Sequence, residues 1–405
     1  MTASASNPPN IICCATFFKG SDFMRECKAA GCHVILVTKE KMLHEDWPRD
    51  VLDEVFALPN DAPVELFLDL VSHIGKTRMP DRIVALEEFD VVIAALAREH
   101  LCLPGMSSSA AKVFRDKYAM AVRARDAGLA VPEFVPAIND HEISQYIDRV
   151  PPPWVLKPRS DVSAIGIRKL ETADEVWATI EELNKREALR ERASYHVVAR
   201  FIPGEVFHVD SLVYDSRVVF AGVNKYGRPP LQVAHGGGAY ISQTIPNESA
   251  DKKKLLDINR RMIKAMRMQT GATHAEFIKS QTDGDFYFLE IASRVGGAYI
   301  ADVLEAASGI NLWREWAKLE VADARPRLRP RKEHAGIILS LAKQEFPDTS
   351  VYDDSEIVYR VKKKHHAGLI VRSKSHERVN ELLDDYGRRF ENDFIAVLPP
   401  LERPE

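Results

Sequence analysis

Short apolar runs alternate with amphipathic stretches through the first hundred residues. IICCAT at 11–16 predicts a buried strand, the stretch near 20–30 a helix stopped by Gly31, and HVILVT at 33–38 a second strand. A helix near 64–75 and a strand at RIVALEE, 82–88, continue the series. This βαβ rhythm predicts a small doubly wound domain with a parallel sheet. The turn after the first strand, FFKGSD, is not GxGxxG, which argues against a dinucleotide redox role.

Beyond residue 107 the pattern changes. Residues 107–128 predict one helix, opened by three serines and stopped by Gly128. EISQYIDR at 142–149 reads as a second helix, and WVLK, after PPP at 151–153, as a strand. Strands then alternate with one polar helix near 172–190. Residues 222–248, with five glycines and three prolines, lack periodicity and read as a long loop of the kind that is usually functional or disordered. A helix near 250–270, two strands, and a helix near 298–320 follow. ARPRLRPRK at 324–332 reads as a linker. The tail holds strands at 335–343, 356–361 and 368–373 and a helix near 376–386. These signals predict boundaries at 1–106, 107–323 and 324–405.

Composition adds exclusions. A net charge of −4 over 405 residues gives no support for nucleic-acid or membrane-surface partners. No apolar run reaches the roughly 18 residues of a membrane span, and the polar start lacks a signal-peptide core, so a cytoplasmic protein is expected. Five cysteines with no CxxC pair indicate neither a zinc site nor a disulfide framework.

The sharpest chemical signal is HAEFIKS–QTDGD–FYFLEI, within 272–291. A three-residue loop, Thr282-Asp283-Gly284, centres a hairpin on Asp283 and makes Glu276 and Glu290 cross-strand partners. Opposed carboxylates at that range repel by about 1–4 kcal/mol, which a divalent cation turns into binding. The plainer reading, two glutamates on a solvated sheet face, stays open from spacing alone. Arg294 and Gly296-Gly297 follow at once. A cation there can stabilise a transferring phosphoryl group, and adjacent glycines let backbone N–H groups approach an anion; packing alone would also explain them. WVLKPRSDVSAIGIRKL places Lys157 at a strand end and Ser160, Ser163 and Gly166 in the following loop, a weak phosphate-binding composition. Lys117 reads by itself as a helix-surface lysine. Glu205, just past the Pro203-Gly204 bend, could accept bonds from ribose or be an edge-strand charge. His208 and Asp210 read as ordinary polar strand residues.

In order and spacing these segments resemble the ATP-grasp superfamily over roughly 1–320. The resemblance implies a Rossmann-like preATP-grasp domain, a two-lobed ATP-grasp fold (lobes about 130–200 and 201–323) and a small β-rich C-terminal subdomain. It implies that Lys117 and Lys157 contact the nucleotide, that the 159–166 loop, with Ser163 and Gly166, covers the phosphates, and that the backbone of Arg200 and Ile202 bonds adenine and Glu205 the ribose. Glu276 and Glu290 would hold Mg2+, or Mn2+ in its place. Arg294 would stabilise the γ-phosphoryl and acyl phosphate, and Gly296 and Gly297 would seat the carboxylate. Two departures stand out. Ala292 replaces a common asparagine, implying a second ion held less fully, and Ala199 replaces a common acidic residue at the adenine hinge. The implied activity is an ADP-forming carboxylate–amine ligase acting on small molecules, with a homodimer compatible. A biotin-carboxylase-like enzyme and a non-catalytic nucleotide-binding regulator are the alternatives.

Overall fold

The computed structural model describes residues 9–161, 165–231, 233 and 237–396. The first unit is a four-stranded sheet of β1 (Asn10–Cys14), β2 (His33–Lys39), β3 (Glu54–Leu58) and β4 (Arg82–Ala85) in the order β3-β2-β1-β4. Every pair is parallel, as the near-continuous apolar runs require. Helices α1 (Ser21–Ala29), α2 (Val64–Thr77) and α3 (Val91–His100) pack against it. The strand expected at 82–88 ends at Ala85. Leu86 and Glu87 leave the sheet and a short 3-10 turn carries Glu88.

The expected helix at 107–128 is two: α4 (Ser108–Val113) and α5 (Lys117–Asp126). Asp116 breaks it, because its carboxylate caps α5 through the Tyr118 and Ala119 N–H groups and accepts from Arg159. The second sheet holds β5 (Phe134–Pro136), β6 (Trp154–Pro158), β7 (Arg168–Leu170) and β8 (His196–Arg200), antiparallel in the order β5-β8-β6-β7. Helices α6 (Asp140–Arg149) and α7 (Ala173–Asn184) cover one side of it.

The third sheet is eight-stranded and antiparallel. It contains β9 (Gly204–Tyr214), β10 (Arg217–Tyr226), β11 (Tyr240–Thr244), β12 (Gly271–Ser280), β13 (Phe286–Ala292), β14 (His334–Leu341), β15 (Ile357–Arg360) and β16 (His366–Ser373). Their order is β13-β12-β9-β10-β11-β14-β16-β15, so the C-terminal strands extend the same sheet through β11 and β14. The 222–248 segment is therefore not loop throughout: Asn224 pairs with Thr244 across β10 and β11. Helix α8 (Ala250–Ala265) packs on one face with Phe207, Val209, Phe277 and Phe288. The expected helix at 298–320 is α9 (Ile300–Ser308) and α10 (Leu312–Ala322), separated where Gly309 turns left-handed and Asn311 caps α10. The last helix, α11 (His376–Asp393), runs longer than its sequence signal and packs on β14 and β16.

Alternation along β9 and β12 decides which side chains meet the site. Phe207, Val209, Ala275 and Phe277 face α8. Val206, His274, Glu276 and Ile278 face a cavity that also borders β6, β8 and the Glu88 turn.

Candidate active site

Glu276 and Glu290 are direct cross-strand partners, the register expected from sequence. The route differs. Ser280 N–H bonds to Asp285 O, so the turn has four residues, Gln281 to Gly284, with Gly284 left-handed at φ +73°. That alone would misalign the pair. A bulge after Glu276, which leaves Leu289 as the extra residue, restores the register.

Each carboxylate is held through one oxygen. Glu276 Oε1 accepts from Tyr226 Oη at 2.6 Å and lies 3.3 Å from His274 Nε2. Glu290 Oε2 lies 2.9 Å from Lys117 Nζ. Glu276 Oε2 and Glu290 Oε1 have no partner among the described residues. Two hard, anionic oxygens on facing residues suit Mg2+ or Mn2+, and their second oxygens are fixed by neighbours as metal carboxylates usually are.

Lys117 opens α5 and is 8% exposed; its ammonium also donates to Asp161 O at 2.5 Å. Burial alone would lower its pKa, but Glu290 and Glu88 more than offset that and keep it charged. Lys157, on β6, lines the cavity with no hydrogen bond among the described residues. Burial pushes its pKa down to about 8, despite the attraction of Glu290. Arg294 follows β13 and binds Glu88 with Nε at 3.1 Å and Nη2 at 2.8 Å. Arg115 Nη1 holds the other Glu88 oxygen at 2.5 Å. Burial would raise the Glu88 pKa, yet the two guanidinium groups bring it down to about 2.

These groups line one cavity of about 780 Å³. Phe201, Ile202, Ile165, Ile167, Ile278 and Leu289 give it apolar lining, a chemistry suited to a flat heteroaromatic ring. Glu276, Glu290, Lys117, Lys157 and Arg294 lie on the same cavity. The Arg200 N–H is already given to Glu133 O, so only its carbonyl could serve such a ring. Gly166 lies in the β6–β7 hairpin between cavity-lining Ile165 and Ile167, and Ser163 lies outside the described residues.

Glu205 requires a correction. Because β9 starts at Gly204, Glu205 shares the parity of Phe207, on the α8 face, and pairs with Lys225 at 2.5 Å. Val206 lines the cavity instead. His208 and Asp210 are also not ordinary strand polars. Asp210 is fully buried and accepts from His208 Nδ1 at 2.6 Å and His274 Nδ1 at 2.8 Å. His208 Nε2 continues to Ser242 Oγ at 2.8 Å. The three could offer ligand atoms within 4.8 Å of one another, but each is committed to these bonds, which makes them a polar network behind Glu276. Gly296 passes over it: a Cβ there would lie 2.8 Å from Asp210 Oδ1. Gly297 lines the cavity.

Sequence reading missed Glu88, Tyr226 and the role of His274. The location of Glu88 offered a signal, since ligands in open α/β sheets gather beyond the carboxyl ends of the strands. Tyr226 ends β10 in the 222–248 segment, whose glycines and prolines mask its strand character.

Residues 150–302 match the family model for the ATP-grasp domain, and with this arrangement of sheets the chain carries an ATP-grasp domain. It resembles an L-arginine-specific L-amino acid ligase of Bacillus subtilis, 24% identical over 274 residues, 66% of this chain. The match spans 64% of that relative's length. An L-amino acid ligase from Bacillus licheniformis superposes with a TM-score of 0.75 at 17% identity, covering 97% of this chain and 99% of that one. The biotin carboxylase domain of a Hydrogenobacter thermophilus 2-oxoglutarate carboxylase gives 0.73 at 14% identity, covering 96% and 91%. These structural likenesses establish the fold. Among the described residues no helix is long and apolar enough to cross a membrane.

Proposed function

We propose that the protein is an ATP-dependent carboxylate–amine ligase that joins an amino acid to an amine, releasing ADP and phosphate. The observation that carries this reading is the facing pair Glu276 and Glu290, beside Lys117, Lys157 and Arg294, on one cavity of an ATP-grasp domain. The similarity to L-amino acid ligases supports the choice of substrate class.

Bound between Glu276 and Glu290, a divalent ion would neutralise phosphate charge. The apolar lining around Phe201 and Ile202 holds the base, and the Arg200 carbonyl and Ile202 backbone offer it hydrogen bonds. Lys157 supplies a mobile positive charge to the phosphates, and Lys117 fixes Glu290. A substrate carboxylate oxygen attacks the terminal phosphorus as the bond to ADP breaks, giving an acyl phosphate. Arg294 stabilises the charge on the transferring group, and Gly297 leaves room for the carboxylate. The amine nitrogen then attacks the acyl carbon, phosphate leaves, and the amine gives up its proton. Walls drawn from β6 and β8 on one side and β9, β12 and β13 on the other limit the access of water to the acyl phosphate. A cytoplasmic location fits the need for ATP and the free cysteines.

Incubation with ATP, Mg2+ and amino acids is expected to release ADP and phosphate only when both an acid and an amine are present. Turnover with bicarbonate alone, or nucleotide binding without turnover, would refute the reading. Lys157 gives a second expectation. Its charge is lost as pH rises through about 8, so nucleotide affinity weakens above that pH. Lys157→Met should weaken binding about 10–100-fold at pH 7 and flatten the pH profile in calorimetric titrations. Unchanged affinity would remove Lys157 from the site.

A further inference from the structure

Glu88 is a buried carboxylate on the cavity with no place in the acyl-phosphate chemistry itself. Its Oε1 accepts from Arg115 Nη1, and its Oε2 accepts from both Nε and Nη2 of Arg294, at 3.1 and 2.8 Å. Glu88 stands on a rigid base. The chain leaving β4 is fixed by Leu86 N–H on Cys14 O, and the buried Asp90 carboxylate in the same turn accepts from Thr16 N–H, both at 2.8 Å. Arg294, by contrast, follows the end of β13 and runs straight into Gly296-Gly297.

A guanidinium has five N–H donors. On Arg294 three are committed: Nε and one of Nη2 to Glu88, and one of Nη1 to Val295 O at 3.0 Å. One N–H on each terminal nitrogen stays uncommitted among the described residues. Two guanidinium groups against one carboxylate leave the cluster positively charged, so the pairing does not cancel the field that Arg294 offers an anion. Arg115 also donates from Nη2 to Ser160 O at 2.6 Å, at the base of the β6–β7 hairpin.

We infer that Glu88 is a positioning residue. It holds one side of the Arg294 guanidinium so that the terminal nitrogens face the transferring phosphoryl group, and through Arg115 it ties that orientation to the hairpin. The inference rests on the ligase reading and specifies how its phosphoryl-binding arginine is aimed. Aim matters because a misplacement of about 1 Å can cost about 100-fold in rate.

A double-mutant cycle on ADP formation, with nucleotide affinity measured alongside by calorimetry, separates positioning from simple charge balance. Glu88→Gln is expected to lower kcat about 100-fold and to leave the nucleotide Kd within about threefold of wild type. Arg294→Lys, whose ammonium lacks the planar fork that Glu88 grips, is expected to lower kcat about 1000-fold. Glu88→Gln added to Arg294→Lys should then cost less than about threefold more. A Glu88→Gln kcat within about threefold of wild type, or two losses that multiply in the double variant, would overturn the inference and leave the ligase reading standing. A wild type that forms no ADP with any acid and amine, yet shows an ATP-induced thermal shift, would remove the ligase reading and the inference with it. If circular dichroism shows Glu88→Gln unfolded, Glu88→Asp takes its place in the cycle. Aspartate keeps the charge but is too short to reach both guanidinium groups, and the same non-additivity with Arg294→Lys is expected.

Discussion

Glu290→Gln is expected to lower metal-dependent ADP formation ~1000-fold while the protein stays folded. Glu290 supplies an anionic oxygen directly opposite Glu276, and an amide cannot match its charge. Glutamine is the informative replacement. Lys117 is buried with its ammonium 2.9 Å from Glu290 Oε2, so alanine would also strand a buried charge and cost stability. Glutamine keeps an acceptor there. Circular dichroism and a thermal melt report the fold, and an ADP assay over a Mg2+ titration reports the site. Activity within tenfold of wild type would remove Glu290 from the cation site.

The second large effect concerns stability. Asp210→Ala should reduce the unfolding free energy by about 3–5 kcal/mol, because His274 and His208 lose a buried partner. In the native protein burial would raise the Asp210 pKa, but the two imidazoles hold it well below the ordinary carboxylate range. Burial would lower that of His274, but Asp210 lifts it to about 10. The His274 contribution is complete below the unfolded value of 6.5 and is lost as pH rises through about 10. The Asp210 contribution is complete above 3.8 and is lost in stronger acid. Urea unfolding between pH 6 and 10 should therefore show a decline in wild type that the variant lacks. A variant within 1 kcal/mol of wild type would show the network to be dispensable.

Much of the site was readable because strand pairing is a local code. The two glutamates flank a turn with an Asp-Gly signal, and apolar alternation fixes their face. Their register was nevertheless reached through two offsetting departures, a longer turn and a bulge at Leu289, neither of which composition reveals. Glu205 lies just past the Pro203-Gly204 bend, where sequence does not fix the parity of the strand; with β9 starting at Gly204 its side chain lies on the α8 face, away from the cavity. Glu88 and Arg294 lie 206 positions apart, and only tertiary packing brings them together. The Asp210 network was missed because polar residues spaced by two on a strand also describe a solvated face. Helix breaks at Asp116 and Gly309 escaped because each continues an otherwise helical pattern.

The most direct test is electron paramagnetic resonance of Mn2+ in the presence of a non-hydrolysable ATP analogue. Wild type should show nucleotide-dependent bound Mn2+, and Glu276→Gln and Glu290→Gln should each weaken it sharply. Equal Mn2+ binding in all three proteins would contradict a cation held between these carboxylates.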